Sequence, residues 1–131
     1  MIKAIKTDKA PAAIGPYSQA VVANGFVFCS GQVGINPETG TLADGIENQT
    51  HQVLKNLQSV LEEAGSSLEH IIKTTIFLTN VDDFSKVNEV YTKYFTHYKP
   101  ARATVGVSSL PKGSQSTTPL IEIDATAVIN S

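Results

Sequence analysis

The chain has 131 residues, 41% hydrophobic and 17% charged, a composition that suits one globular domain and leaves no room for a long disordered tail. A net charge of −2 excludes a general polyanion-binding surface, and a single cysteine, Cys29, excludes an intrachain disulfide. No run nears the roughly 18 apolar residues of a membrane span, and Met1 to Lys6 lacks the apolar core of a signal peptide, so a cytoplasmic location is expected; a mitochondrial one stays open, although no Arg-rich presequence is visible.

Residues 2–6 read as a short edge strand, followed by Ala10-Pro11-Ala12-Ala13-Ile14-Gly15-Pro16, where two prolines and a glycine prevent regular structure. Residues 18–23 and 26–33 are β-rich and meet at Asn24-Gly25, the dipeptide that best supplies positive φ at both centres of a tight hairpin. Asn36-Pro37-Glu38-Thr39-Gly40 then carries turn chemistry. From Ile46 to Ala64, apolar residues at Ile46, Val53, Leu54, Leu57, Val60, Leu61 and Ala64 follow helical spacing, with Gly65 as the stop. The sequon Asn48-Gln49-Thr50 falls inside this helix and reads as part of it. Residues 71–79, rich in β-branched side chains, predict a strand. A second helical stripe runs through Phe84, Val87, Tyr91, Tyr94, Phe95 and Tyr98, with Asp82 as the N-cap and Pro100 beyond the end. Residues 102–108 and 120–128 are the last strands, joined by a polar loop from Pro111 to Pro119.

This order predicts a single α+β domain over residues 1–131: about six strands in a mixed sheet, with two helices packed on one face. The other face is left uncovered, and Phe26, Phe28 and Phe77 give it enough apolar surface to favour burial against another subunit.

Arg102 is the only arginine, near the start of an apolar strand. A guanidinium binds a planar carboxylate through two parallel hydrogen bonds, which lysine cannot reproduce, so Arg102 is either a carboxylate anchor or half of a structural ion pair. Alternation along 120–128 sends Ile121, Ile123, Ala125 and Ala127 to one face and Glu122 and Asp124 to the other. If a neighbouring subunit covers that second face, Glu122 needs a partner, and Arg102 is the obvious candidate; if not, Glu122 is solvated. Tyr17 follows a rigid Gly-Pro turn, from which its ring can lid a pocket or pack a loop. Ser30 and Gly31 interrupt an apolar strand, as happens at a close ligand approach or a β-bulge. Asn88 sits on the second helix, where asparagine is most often solvent-facing. Cys29 reads as a small core residue, and His51, His70 and His97 lack metal-ligand spacing. No phosphate loop, dinucleotide fingerprint or nucleophile elbow is present.

Several segments in order, Ala10 to Ala20, Ser30-Gly31-Gln32, Asn36 to Gly40, Asp83-Phe84 through Asn88, Pro100-Ala101-Arg102-Ala103, Leu110-Pro111-Lys112 and Ile121-Glu122-Ile123, resemble the RidA (YjgF) family over residues 10–128. The resemblance implies a chorismate-mutase-like fold, a homotrimer with intersubunit clefts, no cofactor and no metal. It also implies deamination of reactive 2-imino acids, 2-iminobutanoate and 2-iminopropanoate, to 2-oxo acids and ammonia. By the same resemblance Arg102 holds the substrate carboxylate, Glu122 orients water, and Tyr17, Ser30, Gly31, Asn88 and Thr104 line the pocket. Two departures stand out: Thr104 replaces the cysteine of many members, and the loop from Lys112 to Pro119 is longer than expected. Two alternatives remain: a non-catalytic carboxylate-binding or chaperone-like trimer, and a ribonuclease acting on messenger RNA. The lone arginine and the absence of a basic stripe weigh against nucleic acid as a partner.

Overall fold

A computed structural model describes residues 1–129. Six strands, β1 (Lys3–Ile5), β2 (Ala20–Ala23), β3 (Phe26–Val33), β4 (Ile71–Leu78), β5 (Ala101–Gly106) and β6 (Ile121–Val128), form one sheet in the order β1-β2-β3-β6-β4-β5. All neighbours are antiparallel except β4 and β5. Two helices, α1 (Gly45–Glu63) and α2 (Phe84–Tyr94), supply the crossovers β3-α1-β4 and β4-α2-β5 and share one face of the sheet, as the periodicity predicts. None of the described helices is long and apolar enough to cross a membrane.

Local chemistry sets the element ends. Asn24 and Gly25 take φ of 51° and 80°, the paired left-handed geometry that a two-residue hairpin requires. At the end of α1, Gly65 at φ 84° lets its N–H donate to the Glu62 carbonyl while the Ser66 N–H donates to that of Leu61, closing both orphan carbonyls of the last turn. The α1 stripe buries Val53, Leu54, Leu57, Val60 and Leu61 against Val27, Ile76, Ile121 and Ile123. Each such side chain contributes about 1.5–3 kcal/mol by leaving water.

Three boundaries differ from expectation. Asp82 does not cap α2: the Asn80 side chain accepts from the Asp82 N–H and nucleates a short 3-10 turn over Val81–Asp83 that runs into the helix. Tyr98 lies past the end of α2, and its hydroxyl donates to the Ile71 carbonyl at the start of β4, so the aromatic stripe outruns the helix that carries it. The fifth strand is shorter than predicted and forms a sheet edge; despite its apolar sequence, Val105 and Arg102 are exposed in the single chain.

On the face away from the helices, Phe26 and Phe28 are 38% and 49% exposed, with Phe77, Glu122 and Asp124 half-buried beside them. The uncovered apolar face anticipated from sequence is present.

Candidate active site

Arg102 lies opposite Thr74 in the β4–β5 ladder and therefore shares the helix-covered face with Thr74 and Ile76. Its guanidinium stands against α2, with Nη1 donating to Asn88 Oδ1 at 2.8 Å and the carbon centre 5.4 Å and 5.1 Å from the Phe84 and Tyr91 ring centroids. Phe84, Asn88 and Tyr91 are spaced i, i+4 and i+7, so one helix face presents two rings and an amide to the cation. The Tyr91 hydroxyl is held in turn by Thr74 Oγ1 at 2.8 Å, and burial raises its pKa. Arg102 forms no salt bridge among the described residues, which leaves most of its donor fork free. Two residues along the same strand face, Thr104 Oγ1 is buried and has no hydrogen-bond partner among the described residues.

Glu122 belongs to a different place. It pairs with Phe77 across β4–β6, on the face opposite Arg102, because Thr74 and Ile76 alternate with Thr75 and Phe77 along β4. Burial, and after it the Asp124 carboxylate, raises the Glu122 carboxyl above the ordinary glutamate range. Beside it the β3–β6 register slips between Cys29 and Gln32, and a Cβ on Gly31 would lie 2.5 Å from Glu122 Oε2. The bulge expected as one reading of Ser30-Gly31 is present, and what the glycine admits is the Glu122 side chain.

Tyr17, Ser30, Gly31 and Glu122 line one cleft of about 640 Å³. The Tyr17 ring is 53% exposed at its rim, set by a tight turn in which the Tyr17 N–H donates to the Gly15 carbonyl at 2.9 Å. Ser30 Oγ donates to the Ser18 carbonyl at 2.6 Å, so this hydroxyl fixes the wall. The proline-rich segment before Tyr17 is ordered by buried Gln19, which accepts from the Thr7 N–H at 2.7 Å and donates to the Thr7 and Pro11 carbonyls at 3.1 and 2.8 Å. Gln19 escaped the sequence reading because nothing local marks a glutamine that binds a distant loop; Phe84 and Tyr91 escaped it as supports of Arg102, although their spacing with Asn88 carries the signal. Cys29 is buried and its thiol is pushed up to about 12, first by burial and then by Asp124, which makes it an inert core group.

Thus one chain assembles two separate clusters. Asn88 and Arg102, with Thr104 on the same strand face, make one; Tyr17, Ser30, Gly31 and Glu122 make the other, on the opposite side of the sheet. An ion pair between Arg102 and Glu122 within a single chain is ruled out by this alternation.

The family profile described as Endoribonuclease L-PSP matches residues 7–129. The human 2-iminobutanoate/2-iminopropanoate deaminase is 44% identical over 127 residues, covering 96% of this chain and 89% of the human one. The crystal structure of RidA from an Antarctic Psychrobacter is 42% identical, with a TM-score of 0.90 over 97% of this chain and 99% of that one.

The chain belongs to the RidA family.

A further RidA-like structure, TdcF of E. coli with bound serine, is 39% identical with a TM-score of 0.90 and covers 98% of this chain and 99% of that one. Membership in the RidA family agrees with the six-stranded mixed sheet and paired helices found here.

Proposed function

We propose that this RidA-family protein hydrolyses 2-imino acids, 2-iminobutanoate and 2-iminopropanoate among them, to 2-oxo acids and ammonia, in clefts between copies of a homotrimer. The observation that carries the reading is the placement, on opposite faces of one sheet, of a guanidinium and a half-buried carboxyl that each lack an oppositely charged partner among the described residues. Each lacks what the other supplies, and a second copy is the simplest way to join them. Contacts between two different surfaces repeat head to tail and close into a ring, and a trimer is such a ring. The exposed Phe26 and Phe28 add apolar area to be covered by that contact.

In the joined site Arg102, braced by Asn88 and two aromatic rings, binds the substrate carboxylate and so fixes the adjacent C=N carbon. The protonated imine is itself the electrophile. Water held by Glu122 attacks that carbon; a C–O bond forms, the C=N π pair moves to nitrogen, and Glu122 accepts the water proton. Glu122 then returns that proton to the nitrogen, ammonia departs as the C–N bond breaks, the C=O forms, and the carbinolamine hydroxyl gives up its own proton to solvent. The name of the human relative and the serine bound by the E. coli one support a small amino-acid-like carboxylate in this place. The reading calls for no cofactor. A lone arginine and a net charge of −2 offer no track for a polyphosphate chain, which disfavours nuclease action despite the family's description.

The test is ammonia release from an imino acid generated in situ by an amino-acid oxidase. The intact protein accelerates it, and Arg102→Lys, with assembly unchanged, lowers kcat/KM by roughly 10- to 100-fold, the worth of a bidentate charged contact. Equal rates with and without the wild-type protein overturn the proposal.

A further inference from the structure

In the single chain the cleft beside Glu122 holds about 640 Å³, whereas a four-carbon imino acid, at roughly 30 Å³ per water-sized group, fills about 200 Å³, which leaves space both for the guanidinium of a neighbouring copy and for a bulkier acid. The cleft is bordered by two loops that meet the sheet just past the Val33–Glu122 pair, one running from Ile35 to Leu42 and the other through 112–119. Pro37, Gly40, Pro111, Lys112 and Gly113 line the cleft on this side, and among the described residues Lys112 and Glu122 are the only charged ones around it.

The wall is held by one side chain. Gln115 Oε1 accepts from the Leu42 N–H at 3.0 Å, and Gln115 Nε2 donates to the Gly40 carbonyl at 2.9 Å, so an amide bridges two loops more than 70 residues apart in sequence. Its own position is fixed by a tight turn in which the Gln115 N–H donates to the Lys112 carbonyl at 2.9 Å, with Gly113 at φ 56°. The bases of the same loops rest on α1: Gln49 Oε1 accepts from the Leu120 N–H at 2.8 Å, and Gln49 Nε2 donates to the Ala43 carbonyl at 3.0 Å. The base is therefore anchored by buried groups, and the outer end by Gln115.

We propose that Gln115 is a specificity-determining positioning residue, which, by tying the 112–119 loop to the Ile35–Leu42 loop, preforms a mostly apolar compartment that selects acids with bulky uncharged side chains. It rests on the cleft serving small 2-imino and 2-oxo acids. A fixed wall gives an apolar side chain contact without the cost of ordering a loop, and it leaves a methyl group largely untouched.

The probes are pyruvate and phenylpyruvate, bound to the full-length protein and followed by calorimetry, because binding does not require turnover. Wild type prefers phenylpyruvate, and Gln115→Ala lowers that preference by about threefold or more, as the loss of one apolar contact predicts. Trypsin cleavage after Lys112 becomes faster in the same variant. Gln115→Glu, which keeps an acceptor for the Leu42 N–H but cannot donate to Gly40, behaves alike. An unaltered affinity ratio, or an altered ratio without faster cleavage, overturns the role of Gln115. Binding without turnover in wild type instead defeats the deaminase reading and leaves the ratio to decide this one; no binding of either acid defeats both.

Discussion

A carboxyl that serves as a base must be ionised, yet Glu122 sits where ionisation is disfavoured, half-buried and next to Asp124. Its pKa is raised on folding, so in the single chain the native state holds the proton more tightly than the unfolded one. The stabilisation is complete below the ordinary glutamate pKa and is lost as pH rises through the raised value. In the proposed reaction the dependence runs the other way, and kcat/KM is expected to climb as the carboxylate forms. Glu122→Gln is expected to abolish this acid limb along with most of the activity, while thermal melts of the variant show a flatter dependence on pH. A pH series of imine decay and melting curves checks both, and an unchanged acid limb assigns that titration to another group. A guanidinium delivered by a neighbour would ease the ionisation, which would give Arg102 a second use beyond the proposed hold on substrate.

At the scale of elements, Gly31 within β3 and Gly34 just past its end permit close approaches with different consequences. A Cβ at Gly31 would meet the movable end of Glu122, whereas a Cβ at Gly34 would lie 2.8 Å from Gln49 Cα in the backbone of α1. Gly31→Ala is therefore expected to cut activity at nearly normal stability, and Gly34→Ala to cost about 1–3 kcal/mol of stability by wedging helix from sheet; chemical denaturation beside an activity assay separates the two. The strands and helices themselves were readable because their signals are local: alternation in β6, the 3.6-residue stripe of α1, and the Asn24-Gly25 turn. Asp82 misled because the chain enters α2 through a 3-10 turn that begins two residues earlier, where the Asn80 side chain is the cap and accepts from the Asp82 N–H. The aromatic run to Tyr98 misled because a buried ring reads the same whether a helix or a following loop carries it. Ser30-Gly31 and Arg102 could be singled out from composition and order, and Thr104 only from the family resemblance, but the face each occupies depends on the β3–β6, β4–β5 and β4–β6 registers, which no local pattern contains. Gln19 and Gln115 bind backbone groups far away in sequence and left no trace to read.

The molecule as a whole has a polarity that its fold imposes. Because Arg102 is in register with Thr74 and Glu122 with Phe77, the edge strand presents Arg102 on the helix side, while the central strand β6 presents Glu122 on the bare side. In the proposed ring each copy would be a plug at one surface and a socket at the other, every socket filled by the next copy's plug. Function would then be divisible between molecules. Arg102→Ala and Glu122→Gln chains are each inert in a pure ring, but when unfolded together and reassembled in equal amounts, about a quarter of the junctions unite an intact arginine with an intact glutamate. Two dead proteins would complement one another in a test tube, with activity recovered only after subunits exchange and not on simple mixing of the finished assemblies.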